Sequence, residues 1–159
     1  MIFITLGSQK FQFNRLLKAV DDLIERRIIQ DEVYAQTGYS TYKPRHYKSE
    51  AFLDRQDFLS MEGRADIVIT HGGTGAIIGA VKQGKKVIAV PRLAKYKEHV
   101  DDHQLQIIKQ FEEMNLIYTC MNCDELDKAI KEVQERTYNS YISNTHSIIA
   151  SLERFIEGI

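Results

Sequence analysis

Ala65-Asp66-Ile67-Val68-Ile69-Thr70-His71-Gly72-Gly73-Thr74-Gly75-Ala76 is the stretch that decides the fold. Its β-branched run, residues 67–69, is typical of a parallel strand covered on both faces. The glycines that follow allow a sharp turn, and Thr74 can cap a helix over residues 75–83, which Gly84 would end. A helix N-terminus carries free backbone N–H groups, so the turn predicts an anion site.

Strands and helices alternate on both sides of this stretch. The patterns predict strands at residues 2–6, 32–37, 86–90 and 116–119, with a short edge strand at 51–53. They predict helices at residues 14–27, 57–63, 124–136 and 139–157, and one that ends near residue 114. Asn14 and Asp124 are the expected N-caps. The alternation predicts an α/β fold, a doubly wound Rossmann-like parallel sheet forming one domain over residues 1–159. Residues 66–90 should form its right-handed parallel β-α-β crossover.

Composition excludes several function classes. The formal net charge is −1 and there is no basic stripe, so we expect no nucleic-acid partner. No apolar run approaches the roughly 20 residues that a membrane span needs. The first apolar run, residues 2–6, is too short for a signal peptide and lacks a basic flank. We therefore expect a cytoplasmic protein that reaches a membrane only through a partner.

Two nucleotide motifs are present in partial form, and both are rejected. Residues 79–85 match the first seven positions of a P-loop, but Lys86 stands where Ser or Thr must bind magnesium. They also lie at the end of a predicted helix, where the dipole repels phosphate. Gly73, Gly75 and Gly79 resemble a dinucleotide fingerprint, but the third glycine falls one residue late.

The metal and redox interpretations are also disfavoured. His99 and His103 stand four residues apart, but the sequence does not place a third ligand with them. Cys120 and Cys123 form a lone Cys-x-x-Cys, which is either a redox or half-zinc motif or simply two small residues at a strand-to-helix junction. We favour the latter interpretation and expect no metal.

Three polar segments should meet at the carboxyl edge of the sheet: Gly7-Ser8, residues 71–75 and residues 98–104. A glycine-rich helix start can neutralise a diphosphate, whereas an Asp-His-Gln cluster can hydrogen-bond several hydroxyls. A nucleotide-sugar uses both. The alternative is that the acidic residues and His103 only cap a helix. Tyrosines in the polar loop at residues 38–47 either contact a sugar or are surface side chains with no role in binding.

The combination of residues 65–75, Gly84-Lys85-Lys86-Val87-Ile88, Pro91-Arg92 and residues 98–104 resembles family 28 glycosyltransferases. It is most similar to the small catalytic subunits of bacterial capsular and exopolysaccharide synthesis, and the likeness extends to Alg13-type subunits. The resemblance covers nearly the whole chain. It implies the C-terminal, donor-binding lobe of a GT-B enzyme.

The resemblance also implies partners and a reaction. The acceptor lobe would be a separate, membrane-associated, Alg14-like chain, against which the last helix (residues 139–157) docks unless it packs within this domain. The reaction would be inverting, metal-independent transfer of a hexose from a UDP-sugar to a lipid-linked saccharide, without a cofactor. The alternative is a non-catalytic nucleotide-binding regulatory subunit.

Site residues follow from the resemblance by position. The backbone of Leu53 would contact uracil. The diphosphate would lie against two glycine loops: Gly7, Ser8, His71, Gly72, Gly73, Thr74 and Gly75. The donor sugar would contact Asp102, His103 and Gln104. Catalytic candidates are His71, Glu98 and His99, unless the general base lies in the partner. Gly79 stands where single-chain relatives such as MurG carry a ribose-binding glutamate.

Overall fold

Six parallel strands form one sheet in the computed structural model, which describes residues 1–99 and 104–140. The strands are β1 (Ile2–Thr5), β2 (Val33–Gln36), β3 (Lys48–Glu50), β4 (Ile67–Thr70), β5 (Lys86–Ala89) and β6 (Tyr118–Thr119). Their order is β3-β2-β1-β4-β5-β6, and every neighbouring pair is parallel. This is the Rossmann strand order, so the predicted fold class is confirmed.

Within the described ranges, five α-helices flank the sheet: α1 (Asn14–Glu25), α2 (Arg55–Arg64), α3 (Thr74–Lys82), α4 (Gln104–Glu113) and α5 (Leu126–Glu135). Because the helices cover both faces of the sheet, the strands contribute side chains to two separate cores. On β1, Ile2 and Ile4 belong to the core beneath α1 and α5, whereas Phe3 belongs to the core beneath α3 and α4. Side chains of a strand alternate between its faces, so one apolar run supplies both cores.

The β4-α3-β5 unit follows the prediction closely. Ile67 pairs with Lys86 and Thr70 with Ala89, which confirms the parallel crossover. Gly84, with φ +73°, ends α3: its N–H donates to the Val81 carbonyl and the next N–H donates to that of Ala80. This Schellman arrangement satisfies the last carbonyls of the helix.

Three predicted caps are wrong. Thr74 is the first residue of α3, and Gly73 caps it without a side-chain bond. Asn14 is likewise inside α1. Its Oδ1 accepts the N–H groups of Thr41 and Tyr42, so the side chain fastens a loop instead of a helix end. Before α5, the carboxylate of Asp124 is not the cap, because its own N–H donates to the Asn122 side chain that starts a short 3-10 turn.

The edge strand also lies elsewhere than predicted. The edge strand that pairs with β2 consists of residues 48–50 and not of the apolar residues 51–53. An edge strand has one open side and needs no apolar run, so its alternating exposed residues gave no strand signal.

The loop between β2 and β3 is irregular, as predicted, but it is anchored. The buried carboxylate of Asp21 on α1 accepts a bond from the Tyr42 hydroxyl (2.5 Å) and the backbone N–H groups of Arg45 and His46. The Tyr47 hydroxyl donates to the Leu17 carbonyl at 2.9 Å. Tyr42 and Tyr47 thus hold the loop in place instead of lying free on the surface.

The last predicted helix, at residues 139–157, begins at two residues that are not helical, and residues 141–159 lie outside the described residues. Within the described part of the chain, the helices are all too short or too polar to cross a membrane.

Candidate functional site

The carboxyl ends of β1 and β4 lie side by side at the centre of the sheet, where the strand order reverses. Thr5 pairs with Thr70, so the turns that follow, Gly7-Ser8 and residues 71–75, share one edge. Ligands of doubly wound sheets bind in the crevice at this switch point. The structure therefore brings the two predicted glycine loops together.

His71 fills the space between these loops. Its ring is 5% exposed, and its Nδ1 lies 3.4 Å from the Thr5 carbonyl oxygen. A Cβ on Gly73 would lie 2.5 Å from His71 Nε2, and one on Gly7 would lie 2.7 Å from His71 Cε1. Glycine is therefore needed at both positions to leave room for the His71 ring. From the sequence, these glycines were expected to allow the close approach of a ligand instead.

Burial, and to a smaller extent the nearby Arg92 charge, lowers the pKa of His71 to about 4. His71 is therefore neutral at physiological pH. A buried neutral imidazole can position a loop, but a pKa of about 4 makes it a weak proton acceptor.

The N-terminus of α3 is the open part of the site. Gly75 is exposed, and no atom lies within 4 Å of the place where its Cβ would be. The Ile77 N–H donates to the carbonyl of the N-cap residue, Gly73, at 3.1 Å. The N–H groups before it have no partner within the helix and carry the positive end of its dipole.

Leu53, the expected uracil contact, already donates its backbone N–H to Gln36 Oε1 at 2.8 Å. Gln36 lies at the end of β2 and is 8% exposed. No local pattern predicts this bond, because β2 and residue 53 become neighbours only through the pairing of the edge strand. Of the two backbone polar groups of Leu53, the carbonyl is the one left for a base.

Glu98, a candidate base, is fully buried in an ion pair. Its two carboxylate oxygens lie 3.0 Å from Arg15 Nη2 and Nε, and one also accepts the Leu93 N–H at 3.0 Å. Both oxygens of this carboxylate are thus already engaged by Arg15. Glu98 instead fixes the loop after β5 to α1.

The segment expected to bind the sugar is only partly described. The ring of His99 packs against that of Phe11, with centroids 5.3 Å apart, and His99 precedes the helix instead of lying on it. Asp102 and His103 lie outside the described residues. Gln104 begins α4, and its buried Oε1 has no hydrogen-bond partner among the described residues.

Gly79, which replaces the ribose glutamate, lies beside another acid. A Cβ there would be 3.7 Å from the Oε1 of Glu62 on α2. Glu62 is buried, accepts a bond from Gln83, and has its pKa raised by burial. The space beside residue 79 is therefore held by a carboxyl group from a different helix.

The cysteine pair and the P-loop-like residues can also be placed in the structure. Cys120 and Cys123 are buried free thiols, and burial raises their pKa values to about 12 and about 11. No group of three metal-ligating side chains occurs among residues 1–99 and 104–140. The P-loop-like residues lie at the end of α3, remote from the helix start.

One residue with no predicted role stands out. Arg92, which follows β5, is 1% exposed, and its Nη2 donates to the Leu6 carbonyl at 2.6 Å. It had entered the sequence analysis only as part of the family motif.

Comparison with known proteins agrees with this geometry. A family model described as the glycosyltransferase family 28 C-terminal domain matches residues 1–157. The chain is 25% identical over 126 residues to the human UDP-N-acetylglucosamine transferase subunit ALG13, covering 75% of the chain and 11% of that protein. It is 27% identical over 124 residues to the Candida glabrata subunit of the same name, covering 77% and 59%. The chain thus spans less than two thirds of these relatives.

Solved structures show the same fold. An NMR structure of ALG13 superposes with a TM-score of 0.60 at 18% identity, covering 98% of this chain and 94% of the other. The calicheamicin glycosyltransferase CalG4 gives a TM-score of 0.60 at 16% identity, covering 99% and 38%. The chain therefore has the fold of one lobe of the larger CalG4 chain, as the predicted GT-B C-terminal lobe requires.

Proposed function

Because the chain belongs to the glycosyltransferase family 28 C-terminal domain family, we propose that it is the donor-binding subunit of a UDP-sugar glycosyltransferase. It would transfer a hexose to a lipid-linked saccharide, in capsular or exopolysaccharide synthesis. The observation that carries this proposal is the meeting of the Gly7 loop with the open N-terminus of α3 at the switch point. The relatives named as UDP-N-acetylglucosamine transferase subunits support the donor class.

In the proposed reaction, an acceptor hydroxyl attacks the anomeric carbon as the bond to the β-phosphate oxygen of UDP breaks. Negative charge then develops on the departing diphosphate. The N–H groups at Thr74 and Gly75, with Gly72 and the Gly7-Ser8 loop, stabilise that charge. This arrangement needs neither metal nor cofactor. His71, being neutral and buried, holds the two loops in place.

The acceptor proton must go to a general base. Glu98 is committed to Arg15, and the pKa of His71 is too low, so we assign the base to the partner chain. His99 remains the candidate within this chain. The partner would be an Alg14-like membrane-associated protein that holds the acceptor and keeps this chain at the cytoplasmic face of the membrane.

The other ligand contacts stay as proposals from the family pattern. Asp102, His103 and Gln104 would bind the donor sugar. The Gln104 Oε1 is buried without a hydrogen-bond partner among the described residues, and it would accept a hydrogen bond from a sugar hydroxyl. Leu53 would contact uracil through its carbonyl.

NMR titration with UDP tests the proposal. Gly75→Asp places a carboxylate in open space at the N-terminus of α3, where it repels a diphosphate. Gly63→Asp, on the exposed side of α2, adds the same charge away from the site. We expect UDP to shift signals of residues 7–8 and 72–75, and the first variant alone to weaken binding by about tenfold or more. Absence of UDP binding by the unmodified chain would contradict the proposal.

A second candidate is a regulatory subunit that binds the nucleotide without catalysis. It is favoured by the ion pairing of Glu98 and the low pKa of His71, which argue against two of the three candidate bases in this chain. Assay of hexose transfer with the acceptor-binding partner present decides between them. UDP binding without turnover, in a complex that contains both chains, supports the regulatory role.

A further inference from the structure

Arg92 is a buried cation with unused hydrogen-bonding capacity. Its side chain is among the largest that are fully buried, and its guanidinium carbon lies 5.7 Å from the centroid of the Phe13 ring. Nη2 donates to the Leu6 carbonyl, whereas Nε and Nη1 have no partner among the described residues. Buried polar groups are almost always hydrogen-bonded, so two unpartnered donors on one buried side chain require an explanation.

The charge around Arg92 is also unbalanced. Glu98 is the acid that acts on Arg92, but both of its oxygens are already bonded to Arg15. Glu98 is therefore paired with Arg15 and acts on Arg92 through its charge alone. Burial lowers the pKa of Arg92 to about 10, which still leaves it charged at neutral pH. A buried, incompletely paired charge reduces stability, which an anionic ligand could offset.

The position of the charge indicates what it serves. The Leu6 carbonyl that Arg92 binds belongs to the peptide whose N–H is that of Gly7, in the first glycine loop. The same charge acts on His71, which fills the gap to the second loop. Arg92 therefore lies beneath both loops, and its bond fixes and polarises the peptide that starts one of them.

We propose that Arg92 is a positioning residue that supplies the fixed positive charge of a diphosphate site, acting through the Leu6–Gly7 peptide. This inference rests on the proposed function and deepens it. A reaction without a metal ion needs another source of positive charge near the leaving diphosphate. The helix N-terminus contributes about half a charge, and Arg92 adds a whole one.

The test compares UDP with uridine, which shares the base and ribose but has no phosphate. Dissociation constants are measured by NMR titration at pH 6.5 for the unmodified chain, Arg92→Gln and Arg92→Lys. We expect the glutamine variant to lose about tenfold in UDP affinity, equivalent to about 1.4 kcal/mol. Its uridine affinity should be unchanged, and the lysine variant should retain most of the affinity for UDP.

The inference would be overturned by unchanged UDP binding in Arg92→Gln, by an equal loss of UDP and uridine affinity in that variant, or by a lysine variant that binds UDP as weakly as the glutamine variant. A loss seen with UDP-glucuronate but not with UDP or UDP-glucose would also overturn it, because the charge would then read a sugar carboxylate. If the unmodified chain binds neither UDP nor uridine, the proposed function itself fails and the inference falls with it.

Discussion

Acid should destabilise this protein through one histidine. Burial lowers the folded-state pKa of His71 from 6.5 to about 4, with a smaller contribution from the Arg92 charge. Between these two pH values the unfolded chain binds a proton that the folded chain does not. The stability contributed by neutral His71 is therefore complete above about pH 6.5 and is lost as the pH falls towards 4. The difference between the two pKa values corresponds to about 3 kcal/mol.

Urea unfolding at several pH values between 4 and 7.5 measures this effect. The unmodified chain is compared with His71→Gln, which has no imidazole to titrate at this position. Other acid-sensitive groups contribute equally to both proteins, so the difference in unfolding free energy isolates His71. We expect that difference to shrink by about 3 kcal/mol on acidification. His46→Gln, at a half-exposed ring, is the matched control for replacing a histidine by glutamine.

Parallel stability curves for the unmodified chain and His71→Gln would refute the reasoning. So would an NMR titration of the His71 ring that gives a pKa near 6.5 in the folded protein. The NMR measurement does not depend on the variant's folding, so it decides the matter even if His71→Gln is unstable.

Three further predictions concern stability measured by urea unfolding. Gly73→Ala should cost about 2 kcal/mol because its Cβ would meet the His71 ring, whereas Gly75→Ala has open space and should be neutral or stabilising; equal effects would contradict this. Glu98→Gln should cost about 3 kcal/mol, because it removes the buried carboxylate that pairs with the partly buried Arg15 guanidinium; a neutral effect would show that the ion pair is dispensable. Tyr42→Phe should cost about 1.5 kcal/mol by removing a bond to a buried carboxylate, and no loss would mean that the loop is held by its backbone bonds alone.

The sequence predicted the regular part of the fold well. Apolar runs such as residues 67–69 are continuous enough to be recognised as strands covered on both faces, and Gly84 ended its helix as expected. The edge strand at residues 48–50 was missed because a strand exposed on its open side needs no apolar pattern. Asn14 was misassigned because its side chain bonds to a loop 27 residues away, which local pattern does not reveal.

The site was predictable only in outline. Parallel strands and glycine turns were sufficient to bring Gly7 beside residues 71–75. The states of individual side chains were not predictable, because burial and charge pairing depend on the whole fold. Glu98 resembled a possible base until the structure paired it with Arg15, 83 residues away. Arg92 could be given a role only after the structure showed that its guanidinium is buried and that its Nε and Nη1 lack hydrogen-bond partners among the described residues.

The packing of the His71 ring between two glycines has a consequence for how this sequence can change over time. Gly7, His71 and Gly73 occupy one shared volume, so a larger residue at either glycine requires a smaller one at position 71. The three positions are therefore expected to be substituted together or not at all. Gly75, which touches nothing at its Cβ position, is free of that coupling and can vary by itself, within whatever limits a ligand imposes.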